Sequence, residues 1–118
     1  MLSFLVADEA KREALLPVWT ELASGQKRST FLAQLWAATK FRPPPADPAQ
    51  RFPERLLVLS SAADRLVDPR CSADLARHYG AEHRVHPWAG HDLTTDDGEW
   101  VADAAAAFAL QRAPGGGA

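Results

Sequence analysis

The sequence predicts an α/β protein: two parallel strands joined by a helix in a βαβ unit, then a terminal helix, all preceded by a helical segment. Three observations predict it. A continuous apolar run, Leu56 to Leu59, is bounded by turn-forming residues, which is how a strand buried on both faces reads. A helix start at Asp68-Pro69 and a helix stop at Gly80 separate that run from a second short strand, Val85 to Trp88. Ahead of both, apolar residues recur at helical spacing until a proline-rich stretch breaks the pattern.

Residues 8–24 read as a helix, with Asp8 as N-cap and Glu9 in the first turn. Leu15, Trp19 and Leu22 form its apolar stripe, widened by Leu16 and Val18. Pro17 removes one backbone donor and predicts a kink or a restart. Ser24-Gly25 ends the helix. Ser29 is expected to cap a second helix over residues 30–40, where Phe31/Leu35 and Leu32/Trp36 are i,i+4 pairs. Five prolines between Phe41 and Pro53 exclude helix and central strand, so that stretch is expected to be an extended connector.

The first strand is expected over residues 55–60 and the crossover helix from Pro69 to Tyr79, with Cys71, Leu75 and Tyr79 along one face. Residues 89–98 read as a polar loop, in which Asp96 and Glu99 have the spacing of a capping box. The last helix, about 99–112, is expected to bury Trp100, Val101, Ala104, Ala105 and Phe108. The organisation is then a helical segment with its connector (1–53), a βαβα part (54–112) and a disordered tail (113–118).

Composition narrows the function classes. At 118 residues, 47% hydrophobic and 24% charged, the chain has the make-up of a soluble globular domain with a modest core. A net charge of −2 gives no electrostatic case for nucleic acid or an anionic membrane. One cysteine, Cys71, cannot form an internal disulfide, and the opening apolar run stops at Asp8, too short for a leader or a membrane span. A cytoplasmic protein is the expectation.

Two residues carry the chemistry. Asp64 stands in a loop after the first strand, in Ser61-Ala-Ala-Asp64-Arg-Leu-Val-Asp-Pro69; His91 stands in a turn after the second, in Gly90-His91-Asp92. Loops at the C-terminal ends of adjacent parallel strands are where such groups converge. In this order and spacing, the two halves resemble the C-terminal portion of the α/β-hydrolase fold, over about residues 54–110. The resemblance implies that Asp64 orients and His91 acts as general base in a Ser-His-Asp triad that hydrolyses an ester or related acyl bond. It implies no cofactor. It also places residues 8–40 where family members often carry a helical cap or lid, with apolar faces suited to an acyl pocket.

The triad's nucleophile is expected elsewhere. No Gly-x-Ser-x-Gly occurs, and no glycine-rich oxyanion segment is present. Ser60 and Ser61 end the acid's own strand, and Cys71 has the spacing of a core residue. Asp68 is accounted for by capping before Pro69, and His83 and His86, three apart on a strand, face opposite ways and do not form a metal set. The chain is therefore expected to be a fragment, inactive alone and completed by a nucleophile-bearing segment. An open apolar strand edge invites a partner chain or self-association. The alternatives are a non-catalytic binding or scaffold module on the same strand-helix frame, and a self-sufficient hydrolase using Ser61.

Overall fold

The computed structural model describes residues 2–47 and 52–113. In chain order these form α1 (Leu2–Leu5), α2 (Glu9–Ser24), α3 (Arg28–Lys40), α4 (Phe52–Arg55), β1 (Leu57–Ser61), α5 (Pro69–Tyr79), β2 (Glu82–His86) and α6 (Leu93–Gln111). The strands are parallel neighbours, in register from Leu57↔Glu82 to Ser61↔His86. Helices around a two-stranded parallel sheet make this a small α/β fold. None of the described helices is long and apolar enough to cross a membrane.

The β1-α5-β2 unit forms where local chemistry demands it. The Asp68 carboxylate caps α5 by accepting the Arg70 N–H, and Pro69 occupies the first turn, where its missing donor costs nothing. Gly80 closes α5 in the left-handed region at φ 62°, which a residue with a Cβ adopts only with strain. β2 begins directly after that turn, three residues earlier than the apolar pattern suggests. It stops at His86 because Pro87 has no N–H to continue the ladder. The helical turn α4 corrects the expectation of a wholly extended connector, since Pro53 sits in its first turn, where proline is tolerated. Connector residues 48–51 and tail residues 114–118 lie outside the described residues.

The last helix starts earlier than expected. Asp92, not Asp96, is its N-cap, accepting the Thr95 N–H and both the Thr94 and Thr95 hydroxyls. Asp97 has non-helical torsions and caps a second run by accepting the Trp100 N–H. Trp100, Val101 and Phe108 are half-buried and Ala104 is buried, whereas Ala105 is exposed.

Burial lies outside the two long N-terminal helices. Among the described residues the buried apolar ones are Val6, Val58, Ala76, Ala89 and Ala104, drawn from the N-terminal segment, β1, α5, the His91 turn and α6. Helices α2 and α3 bury no residue, and Leu22, Leu32 and Trp36 are each more than 60% exposed. The radius of gyration is 17.0 Å, against about 13 Å for a compact chain of this length. The apolar stripe of α2 is therefore largely uncovered, with Leu15 and Trp19 only half-buried. α2 runs through Pro17 as one helix, and α3 begins at Arg28 with Lys27 as an N-cap whose side chain makes no capping bond, so Ser29 is not the cap. Cys71 is exposed, which corrects its expected core position: it lines an open cleft with Leu75 of α5 and Phe41 and Pro43 of the connector instead of being covered.

Candidate active site

β1 and β2 end side by side, so the loops that follow them meet. The Asp64 loop folds back on itself: Asp64 Oδ1 accepts the backbone N–H groups of Leu66 (2.9 Å) and Val67 (3.0 Å). This engages one carboxylate oxygen and leaves the other free to point outward. Asp64 Oδ2 lies 2.8 Å from His91 Nδ1. The two residues read from the sequence are thus in direct contact, 27 positions apart in the chain.

Burial of Asp64 raises its pKa, but hydrogen bonds from Val67, His91 and Leu66 outweigh it, and the carboxyl titrates below its usual range. An ionised carboxylate only accepts, so it calls for a proton on His91 Nδ1 and leaves the Nε2 lone pair bare. Among the described residues, Nε2 has no hydrogen-bond partner, and the His91 side chain is 40% exposed. The arrangement is a basic nitrogen held by a carboxylate at its back and open in front.

The turn that carries His91 is tied at every backbone N–H. Gly90 donates to Asp96 Oδ2 (2.7 Å), His91 to Phe4 O (3.3 Å) and Asp92 to Leu5 O (2.7 Å). Gly90 is required by close approach: a Cβ there would lie 2.5 Å from the Leu5 carbonyl oxygen and 2.9 Å from its carbon. These are backbone atoms, so Gly90→Ala must push the N-terminal segment away and is expected to cost on the order of 2–3 kcal/mol. Denaturant unfolding checks this as a lowered midpoint at unchanged slope.

Ser60, Ser61 and the other three histidines are otherwise engaged. Ser61 is 1% exposed. Its hydroxyl donates to Ala89 O and accepts the Ala63 N–H, so it is held inside the turn network and cannot reach a substrate carbonyl. Ser60 Oγ lies 2.7 Å from His83 Nε2, a cross-strand Ser–His contact set by the register. Ser60 is buried within an extended strand rather than on a sharp turn, and His83 Nδ1 has no partner among the described residues, so no acid orients it. His86 is buried edge-on between Trp88 and Trp100. Its Nδ1 accepts the Ala89 and Trp88 N–H groups, which puts the proton on Nε2, facing Asp97 at 3.2 Å. His78 contacts Pro44 O, next to the Tyr79 hydroxyl bond that holds the connector on α5.

The most deeply engaged carboxylate was not legible as such. Asp96 is 2% exposed. It accepts backbone N–H groups from Ala7 (2.8 Å), Asp8 (2.9 Å) and Gly90. The Lys11 ammonium donates to its carbonyl oxygen. Burial raises its pKa, yet the three N–H donors and Lys11 bring it below the ordinary value. Compared with protein-family models, with curated proteins and with solved structures, the chain matches none.

Proposed function

We propose that this chain supplies the acid and the base of an acyl-transfer centre of the α/β-hydrolase type, with the nucleophilic serine coming from a segment outside these residues. The observation that carries the reading is the Asp64–His91 pair: Nδ1 on the carboxylate at 2.8 Å, with Nε2 open. In such a centre Nε2 takes the serine proton as the hydroxyl oxygen attacks the ester carbonyl. Asp64 stabilises the imidazolium that forms, and His91 returns the proton to the departing alkoxide. Water then repeats the sequence on the acyl-enzyme, releasing the acid and restoring the serine. Leu66 and Val67, exposed beside Asp64, favour an apolar acyl or alcohol group.

The open nitrogen can be tested without a nucleophile-bearing segment. An activated acyl donor such as p-nitrophenyl acetate is expected to acetylate His91 Nε2, with nitrophenolate released and the acetyl-imidazole then hydrolysed by water. His91→Ala is expected to remove this turnover while His83 and His78 remain. A fluorophosphonate probe is expected to leave every serine of the folded chain unmodified. Turnover undiminished in His91→Ala would contradict the base assignment, and a labelled serine would place the nucleophile within this chain.

A second reading, a binding module on the same frame, is favoured by the uncovered apolar side chains of α2 and α3, among them Leu22, Leu32 and Trp36. The open edges of the two-stranded sheet suit a partner strand or a second copy equally. This reading predicts that His91 Nε2 reacts no faster than a free imidazole.

A further inference from the structure

We infer that Asp96 is a positioning residue for His91, and that through it the root of helix α2 is tied to the turn carrying the imidazole. This rests on the acid–base reading of Asp64 and His91. Asp64 sets the rotation of the ring, but only if the backbone of the turn stands still. Asp96 Oδ2 receives the Gly90 N–H at 2.7 Å, one residue before His91, and the Ala7 N–H at 2.8 Å. Asp96 Oδ1 receives the Asp8 N–H at 2.9 Å, and Asp8 is the N-cap of α2. One carboxylate therefore bridges the histidine turn and the entry to the helical segment.

The bridge is reinforced from both sides. His91 and Asp92 donate to Phe4 O and Leu5 O, so residues 4–8 and 90–92 are joined along their whole facing length. Val6, between them, is fully buried. Lys11, in the first turns of α2, donates to the Asp96 carbonyl oxygen. The carboxylate is almost wholly covered and both its oxygens are engaged, so a displacement of the α2 root must either break its bonds or carry the His91 turn along.

The test follows His91 in the full chain, labelled at the imidazole nitrogens. In the wild type the Nδ1 proton bonded to Asp64 is expected to exchange slowly. In Asp96→Asn, one carbonyl oxygen remains where two carboxylate oxygens served three donors, and the amide group opposes one of the remaining N–H groups. That variant is expected to keep the circular dichroism of the fold and to exchange the Nδ1 proton at least about tenfold faster. A folded variant with unchanged exchange would overturn the inference and leave Asp96 a fastener only. Absence of the Nδ1 proton from wild-type His91 would instead overturn the acid–base reading on which the inference stands. Should the variant not fold, native-state hydrogen exchange of the wild type decides. The Ala7, Asp8 and Gly90 amides are expected to open together at one rate, and independent opening of Gly90 would refute the coupling.

Discussion

Replacing Asp64 with Asn is expected to slow acylation of His91 by about 10–100-fold without unfolding the chain, the equivalent of one lost hydrogen bond to a charged group. The reason is a shortage of acceptors. Asp64 Oδ1 already serves the Leu66 and Val67 N–H groups. In Asp64→Asn the single carbonyl oxygen is held there, so the amide NH2 faces His91. Two donors cannot share a hydrogen bond, and Nδ1 must turn acceptor. The ring proton then moves to Nε2 and blocks the reactive lone pair. Asp64→Ala gives a different signature: the loop loses its two backbone bonds and the ring is freed but not reversed. In a centre completed by a serine, the asparagine substitution would cost turnover on the order of 10⁴-fold, as wrong-tautomer variants of Ser-His-Asp triads do. Acetylation kinetics across pH, compared with the wild type and His91→Ala, provide the check.

Asp96→Ala is expected to be the most destabilising single substitution, by about 3–5 kcal/mol, because it strips the acceptor from three backbone N–H groups in a water-poor place. The core is small, so a loss of that size is a large share of the stability of a domain of this length. Its pH dependence has a definite sign. The folded-state pKa of Asp96 lies below its unfolded value, so the stabilisation is complete above about pH 4 and disappears as pH falls through the folded value. Asp64, Asp92 and Asp97 titrate in the same direction, Asp97 because the Trp100 N–H and His86 hold it ionised. Wild-type stability is therefore expected to fall steeply below pH 4, and the Asp96→Ala profile to be shallower. Urea unfolding at a series of pH values measures both.

The acid–histidine pair was legible because its signals are local. Each residue follows a strand within a few positions, and a parallel register brings the ends of adjacent strands together. The crossover helix was legible for the same reason, Asp68, Pro69 and Gly80 being cap residues that act on their immediate neighbours. Asp96 was not, because its partners Ala7 and Asp8 are nearly ninety positions away and backbone N–H groups leave no trace in residue type. Its spacing from Glu99 suggested a cap, a role Asp92 and Asp97 fill instead on either side of it. The one available sign was an acid close behind a Gly-His turn. Cys71 and the stripe of α2 misled in the opposite sense: apolar spacing identifies the face that a helix could bury, and burial also needs a surface to meet it. The Ser60–His83 contact is a product of strand register, which neither strand specifies alone.

His91 is expected to carry its proton on Nδ1, against Asp64, and to present a bare Nε2. Nitrogen NMR of the labelled imidazoles in the intact chain, at a pH where the ring is neutral, reads this directly. The expected spectrum has a protonated Nδ1 and an unprotonated Nε2 for His91, the two exchanging roles in Asp64→Asn. A wild-type His91 with its proton on Nε2, or a tautomer indifferent to Asp64→Asn, would contradict it.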